Sequence, residues 1–114
     1  MTYQIRGQHF IASEWASTSE KFSSRPHSGT PNEFSKGSAV IVASAVQAAE
    51  NCFLEYAATT RTQRANFLRA IAEEIDLRGE DITRIAMEET ALPEVRLVGE
   101  RGRTTMQLRL FADH

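Results

Sequence analysis

The segment Thr60-Arg61-Thr62-Gln63 and the spacing behind it constrain this chain more than any other feature. It has the form of a capping box: the Thr60 hydroxyl can accept from the Gln63 backbone N–H while the Gln63 side chain reaches back, satisfying two donors that a helix start leaves open. Arg64, Leu68, Ile71 and Ile75 then share one helical face, and Phe67 and Ala72 widen it. Gly79 stands where a left-handed residue would stop the helix. An apolar face of this kind exposes a patch that favours association unless another element covers it.

Three more helices follow from the same chemistry. Ser38 is an N-cap candidate, and Val42, Val46, Ala49, Phe53 and Tyr56 follow at spacings of four, three, four and three, which predicts a helix over 39–57. Its opening, Ala39-Val40-Ile41-Val42, is β-prone, so a strand there is the competing reading. Asp81 can cap a third helix carrying Ile82, Ile85 and Ala86 inward, and Pro93 suits the N1 position of a fourth over 94–112. In that last helix Val95, Val98, Gly102, Thr105, Leu108 and Ala112 form a narrow stripe, while Arg96, Glu100, Arg103 and Arg109 lie largely off it. Gly102 and Thr105 are small enough to admit a neighbouring helix closely.

The first 37 residues differ in character, holding Trp15, two of the three prolines and many of the serines. Gln8 to Trp15 and Lys21 to Arg25 are extended candidates separated by the polar Ala16-Ser17-Thr18-Ser19-Glu20, which is compatible with a hairpin. Pro26 to Asn32 is a turn-rich connection. An isolated hairpin is marginal in water, so this arm is not a domain by itself. The division expected is therefore 1–37 as a β-hairpin arm with its connection and 38–114 as a helical part. No strand follows the helices to begin a parallel sheet, and there is neither an internal repeat nor a low-complexity tract.

Composition excludes several function classes. With 13 basic and 15 acidic residues, the net charge of −2 gives no general attraction to nucleic acid or an anionic membrane. No apolar run approaches the roughly 20 residues that span a bilayer. The start lacks the layout of a signal peptide, so a cytoplasmic location is expected. Cys52 is the one cysteine, which forbids an internal disulfide and a cysteine-based zinc cage, and fits a reducing compartment.

Four stretches together resemble the beginning of the aldehyde dehydrogenase superfamily: Gly7 to Trp15, the turn at Pro26 to Thr30, Arg64 to Ile75, and Glu88-Glu89-Thr90-Ala91-Leu92-Pro93. The tail Gly99 to Ala112 is similar to the branch that oxidises ketoglutarate semialdehyde (2,5-dioxovalerate) and to its fatty-aldehyde relatives. The resemblance implies an α+β piece of an α/β fold, an arm followed by about four helices at the start of an NAD(P)-binding domain. It also implies an oxidoreductase whose complete form uses NAD or NADP, takes a small-molecule aldehyde and is a homo-oligomer. In that family a thiolate attacks the aldehyde and a glutamate activates water, but the motifs carrying both lie later in the chain and have no counterpart here. No catalytic, cofactor-binding or metal residue is expected within 1–114, and no cofactor is expected to bind this chain alone. The family usually has glycine where this chain has Ser13 and again where it has Ala91, and if position 91 requires a positive φ, alanine there costs on the order of 1 kcal/mol.

The remaining chemistry-bearing residues read as structure. Cys52 sits mid-helix in Ala48-Ala49-Glu50-Asn51-Cys52-Phe53 without a neighbouring His or Lys to activate it. His9, His27 and His114 are dispersed, and none has the i, i+4 partner of a helical metal site. Glu88 and Glu89 are adjacent on a helix and point about 100° apart, so they do not converge on one substrate atom. Arg96, Arg101, Arg103 and Arg109 suit surface salt bridges with Glu94 and Glu100 better than a phosphate site. Trp15 reads as a packing anchor of the arm.

Overall fold

The computed structural model describes residues 3–114. The order is four short strands, β1 (His9–Ile11), β2 (Glu14–Ala16), β3 (Lys21–Ser23) and β4 (Glu33–Ser35), and then four helices, α1 (Ala39–Ala57), α2 (Arg61–Leu77), α3 (Gly79–Thr90) and α4 (Glu94–Asp113). This is the α+β arrangement expected, an arm with hairpin structure followed by helices. It forms two compact units: residues Tyr3–Arg25 with Thr30–Ala58, and Pro26–Gly29 with Thr59–His114.

In the first unit the strands pair differently from the sequence reading. Gln8 to Trp15 is not one strand facing Lys21 to Arg25; it folds on itself, with His9 opposite Ala16, Phe10 opposite Trp15 and Ile11 opposite Glu14. The connecting residues Ala12 and Ser13 have φ of 51° and 66°, the pair of positive angles that a two-residue type I′ turn demands. Neither residue signals that turn, which is why the run read as continuous. Lys21–Ser23 instead pairs with Glu33–Ser35, a strand the sequence reading did not identify, closed by Ser24 N–H donating to the Asn32 carbonyl at 2.9 Å. Aromatic pairs lie across both ladders, Phe10 with Trp15 at 4.9 Å between ring centroids and Phe22 with Phe34 at 5.5 Å. The Arg6 guanidinium lies 4.7 Å over the Trp15 ring, so Trp15 anchors the arm as expected.

Helix α1 also belongs to this unit and packs on β1. Its start is fixed locally, the Ser38 hydroxyl accepting from Ile41 N–H at 3.2 Å, so the helix reading prevails over the strand from its first residue. Ile41 and Ala48 are half-buried, whereas the Val42 to Tyr56 face is exposed.

The second unit is a three-helix packing in which α2 and α4 make the largest contact. The capping box is present in full, with Thr60 N–H donating to Gln63 Oε1 at 2.8 Å and Gln63 N–H to Thr60 Oγ1 at 3.1 Å. Small side chains sit at the centre: Ala72 of α2 and Thr105 and Ala112 of α4 are buried. Thr105 thus admits the neighbour as expected. Gly102 does not, since nothing lies within 4 Å of where its Cβ would be.

Three helix-end expectations need correction. Gly79 does not terminate α2 in a left-handed conformation; α2 ends on Arg78 at φ −95°, and Gly79 is the buried first residue of α3. Asp81 lies inside the first turn of α3 rather than capping it. Pro93, at φ −66° and ψ 145°, is the N-cap of α4 and not its first helical residue. The α4 stripe is also rotated: Val95 and Val98 are exposed, whereas Leu97, Arg101, Thr105, Leu108 and Ala112 are turned inward to varying degrees. Phe67 likewise lies off the covered face of α2, and Ile82 off that of α3.

Candidate functional site

The residues most suited to chemistry go to separate elements. Cys52 lies in the body of α1, exposed, with its thiol 3.3 Å from the Ala49 carbonyl one turn back, the position of a small helix residue. It borders an open groove of about 940 Å³ between the β1–β2 turn and α1, lined also by Ile11, Trp15, Ile41, Ala48 and Glu55. His9 Nε2 lies 3.3 Å from the Lys36 carbonyl, His27 engages through its backbone, and His114 ends α4. Among the described residues no three His, Cys, Asp or Glu side chains come together as a metal site would require. No described helix is long and apolar enough to cross a membrane.

The densest polar arrangement lies in the second unit, where the 26–29 segment meets α3 and the start of α4 around a groove of about 790 Å³. Glu88 organises it. Its carbonyl accepts from His27 N–H at 2.7 Å and Ser28 N–H at 3.2 Å, and its carboxylate takes Arg84 Nη1 at 3.1 Å, while Asp81 takes Arg84 Nη2 at 3.2 Å. The hydrogen bond to Asp81, and then that to Glu88, raise the pKa of the Arg84 guanidinium above its ordinary value. Glu88 is thus an ion-paired structural residue, and Glu88 and Glu89 do not form an acid pair. Across the groove Arg101 Nη1 donates to the Gly79 carbonyl and the Thr83 hydroxyl.

The basic residues of α4 divide. Arg96 pairs with Glu100 at 3.0 Å along the helix, the surface bridge expected. Arg109 reaches Asp76 of α2 at 2.8 Å, and Arg101 turns inward. That inward turn was missed, though a signal existed: 101, 105, 108 and 112 share the four-three-four spacing of one face. Arg84 is matched to Asp81 and Glu88, and Arg101 to the Gly79 carbonyl and the Thr83 hydroxyl; with no nucleophile beside a base among the described residues, this is a positioning network.

β4 enters α1 through Lys36-Gly37-Ser38, where the Ser38 hydroxyl accepts from Ile41 N–H.

The aldehyde dehydrogenase family model matches residues 15–114. The alpha-ketoglutaric semialdehyde dehydrogenase of Acinetobacter baylyi is 44% identical over 109 residues, a stretch covering 96% of this chain and 20% of that protein. The alpha-ketoglutaric semialdehyde dehydrogenase 2 of Azospirillum brasilense is 40% identical over 116 residues, covering 96% of this chain and 22% of that protein. The chain spans about one fifth of the length of these curated relatives. Since the matched region runs from Trp15 of β2 through all four helices, the chain belongs to the aldehyde dehydrogenase family.

Proposed function

We propose that this chain is the amino-terminal portion of an NAD(P)-dependent aldehyde dehydrogenase that oxidises 2-oxoglutarate semialdehyde to its carboxylate, and that the chain supplies scaffold rather than reacting groups. One observation carries the proposal: two relatives named for that semialdehyde align with 96% of the chain while the chain spans about a fifth of their length. The exposed apolar faces support it, since Val46 and Phe53 of α1 and Val95 and Phe111 of α4 suit a surface that a larger protein covers. On this reading 1–37 is the arm and 38–114 the helical part of an NAD(P)-binding domain. The nucleotide, the aldehyde and the partner subunits of a homo-oligomer engage the complete enzyme. A cytoplasmic location accords with a lone, unbridged cysteine.

The same exposed faces favour a second reading, a non-catalytic helical module that associates with another chain. A graft separates the two. The corresponding first fifth of the Acinetobacter baylyi relative is replaced with this chain, and NAD(P)H formation from 2-oxoglutarate semialdehyde is followed by absorbance. The expected result is turnover by the chimera and none above a no-protein control by the 114-residue chain alone. A folded but inert chimera would refute the dehydrogenase reading, and turnover by the chain alone would refute its scaffold role.

A further inference from the structure

Arg101 is fixed in place without being neutralised. Its Nη1 donates to the Gly79 carbonyl and the Thr83 hydroxyl, both uncharged, and no carboxylate of the described residues forms an ion pair with it. Arg84, which lines the same groove, has two carboxylates, Asp81 and Glu88. Arg25, Arg61 and Arg103 also form no ion pair, but they are exposed to solvent, whereas Arg101 is half-buried. Arg64, also half-buried, is turned back on Thr59 beside the start of its own helix. The Nε and Nη2 donors of Arg101 have no protein partner. Since every buried polar side-chain atom of the described residues is hydrogen-bonded, these two open to solvent on the groove of about 790 Å³ that Arg101 lines. Together they form the edge of the fork on which a carboxylate takes two parallel hydrogen bonds. Met87, Leu92 and Val98 give the groove apolar walls, and Glu80, Glu88 and Glu94 also line it. Those carboxylates repel a polyanion such as phosphate, and favour a single negative charge set directly on the guanidinium and carried by an apolar body.

We infer that this groove is a docking site for a segment of the complete dehydrogenase outside this chain, which seats one aspartate or glutamate on Nε and Nη2 of Arg101 and lays apolar side chains along Met87, Leu92 and Val98. The inference rests on the dehydrogenase reading, in which the chain, spanning 20% and 22% of its relatives' length, is one part of a longer protein. Preorganisation favours the contact. Gly79 and Thr83 already hold Arg101, so an incoming carboxylate orders no flexible cation, and covering the groove removes the water that screens the pair.

The test compares the 114-residue chain with the chimera described above. Phenylglyoxal modifies accessible guanidinium groups, and peptide mass spectrometry gives the rate at Arg101. That rate should be at least about tenfold lower in the chimera than in the chain alone, because the docked carboxylate covers the group. The charge of the occupant is read separately. Arg101→Gln and Arg101→Glu both forfeit the native contacts with Gly79 and Thr83, but only glutamate repels an incoming carboxylate. The ratio of their unfolding rates at a fixed temperature, followed by circular dichroism, should be about tenfold larger in the chimera than in the chain alone. Equal reactivity of Arg101 in the two proteins, or equal rate ratios, would overturn the inference and leave the dehydrogenase reading standing on an active chimera. An inert chimera that still shields Arg101 and keeps the larger ratio would sink the dehydrogenase reading and uphold the docking site.

Discussion

Arg101 reaches from α4 to the first turn of α3, where its Nη1 donates to the Gly79 carbonyl at 2.5 Å and to the Thr83 hydroxyl at 2.6 Å. The guanidinium occupies the space that a side chain at Gly79 would need, for a Cβ there would meet Arg101 Cζ at 2.6 Å. The obstacle is the far end of a flexible side chain, so Gly79→Ala should displace Arg101 rather than prevent folding. The loss is then that of hydrogen bonds from a charged donor, about 1–2 kcal/mol. Arg101→Met should cost a similar amount. Because both changes remove the same contact, the double variant should lose clearly less than the sum in chemical denaturation, and strictly additive losses would disprove the coupling.

Ala91 closes α3 in the left-handed conformation, with φ 60° and ψ 14°. A Cβ is strained there, and Ala91→Gly should stabilise the protein by about 1 kcal/mol, which for a unit of this size raises the melting temperature by roughly 4–8 °C. Ala70→Gly in the exposed middle of α2 should lower stability by about 1 kcal/mol instead. Opposite signs for one chemical change, read by thermal denaturation, isolate the backbone conformation as the cause. Ser13, at φ 66° in the β1–β2 turn, should respond to glycine as Ala91 does.

Gly7 has φ +63°, and a Cβ on it would lie 1.9 Å from the Glu33 carbonyl oxygen, backbone that cannot step aside. Its own carbonyl accepts from Ser35 N–H at 2.7 Å, joining the start of the chain to β4. Gly7→Ala should therefore break this junction at a cost of about 2 kcal/mol or more. Hydrogen exchange at the Ser35 amide is the local readout: it should accelerate strongly while the α2 amides stay protected, and an unchanged Ser35 rate would contradict the account.

What could be read from the chain follows the range of the forces involved. Ser38 with Ile41 and Thr60 with Gln63 are contacts within three residues, so the starts of α1 and α2 were legible and are found where their side chains put them. The positive φ at Ala91 was legible only conditionally, through the glycine that related sequences carry there. The β1–β2 turn was not legible, because Ala12 and Ser13 adopt angles for which neither residue has a preference. Gly79 was misread because a glycine after a helix usually ends it, whereas here it makes room for a guanidinium 22 residues away. For the candidate site, the sequence read Cys52, the histidines and Glu88 as structural residues. It did not foresee that Glu88 would hold the 26–29 segment through its backbone carbonyl.

By itself, then, the sequence determined the family, the presence of four helices and the starts of α1 and α2, because family motifs are strings and caps and periodicity act over one or two turns. The tertiary structure decided which strands pair, which way α4 is rotated and that Arg101 rather than Val98 turns inward. Those outcomes depend on contacts between residues far apart in the chain, where the burial of small side chains such as Ala72, Thr105 and Ala112 between packed helices outweighs the preference of any single segment.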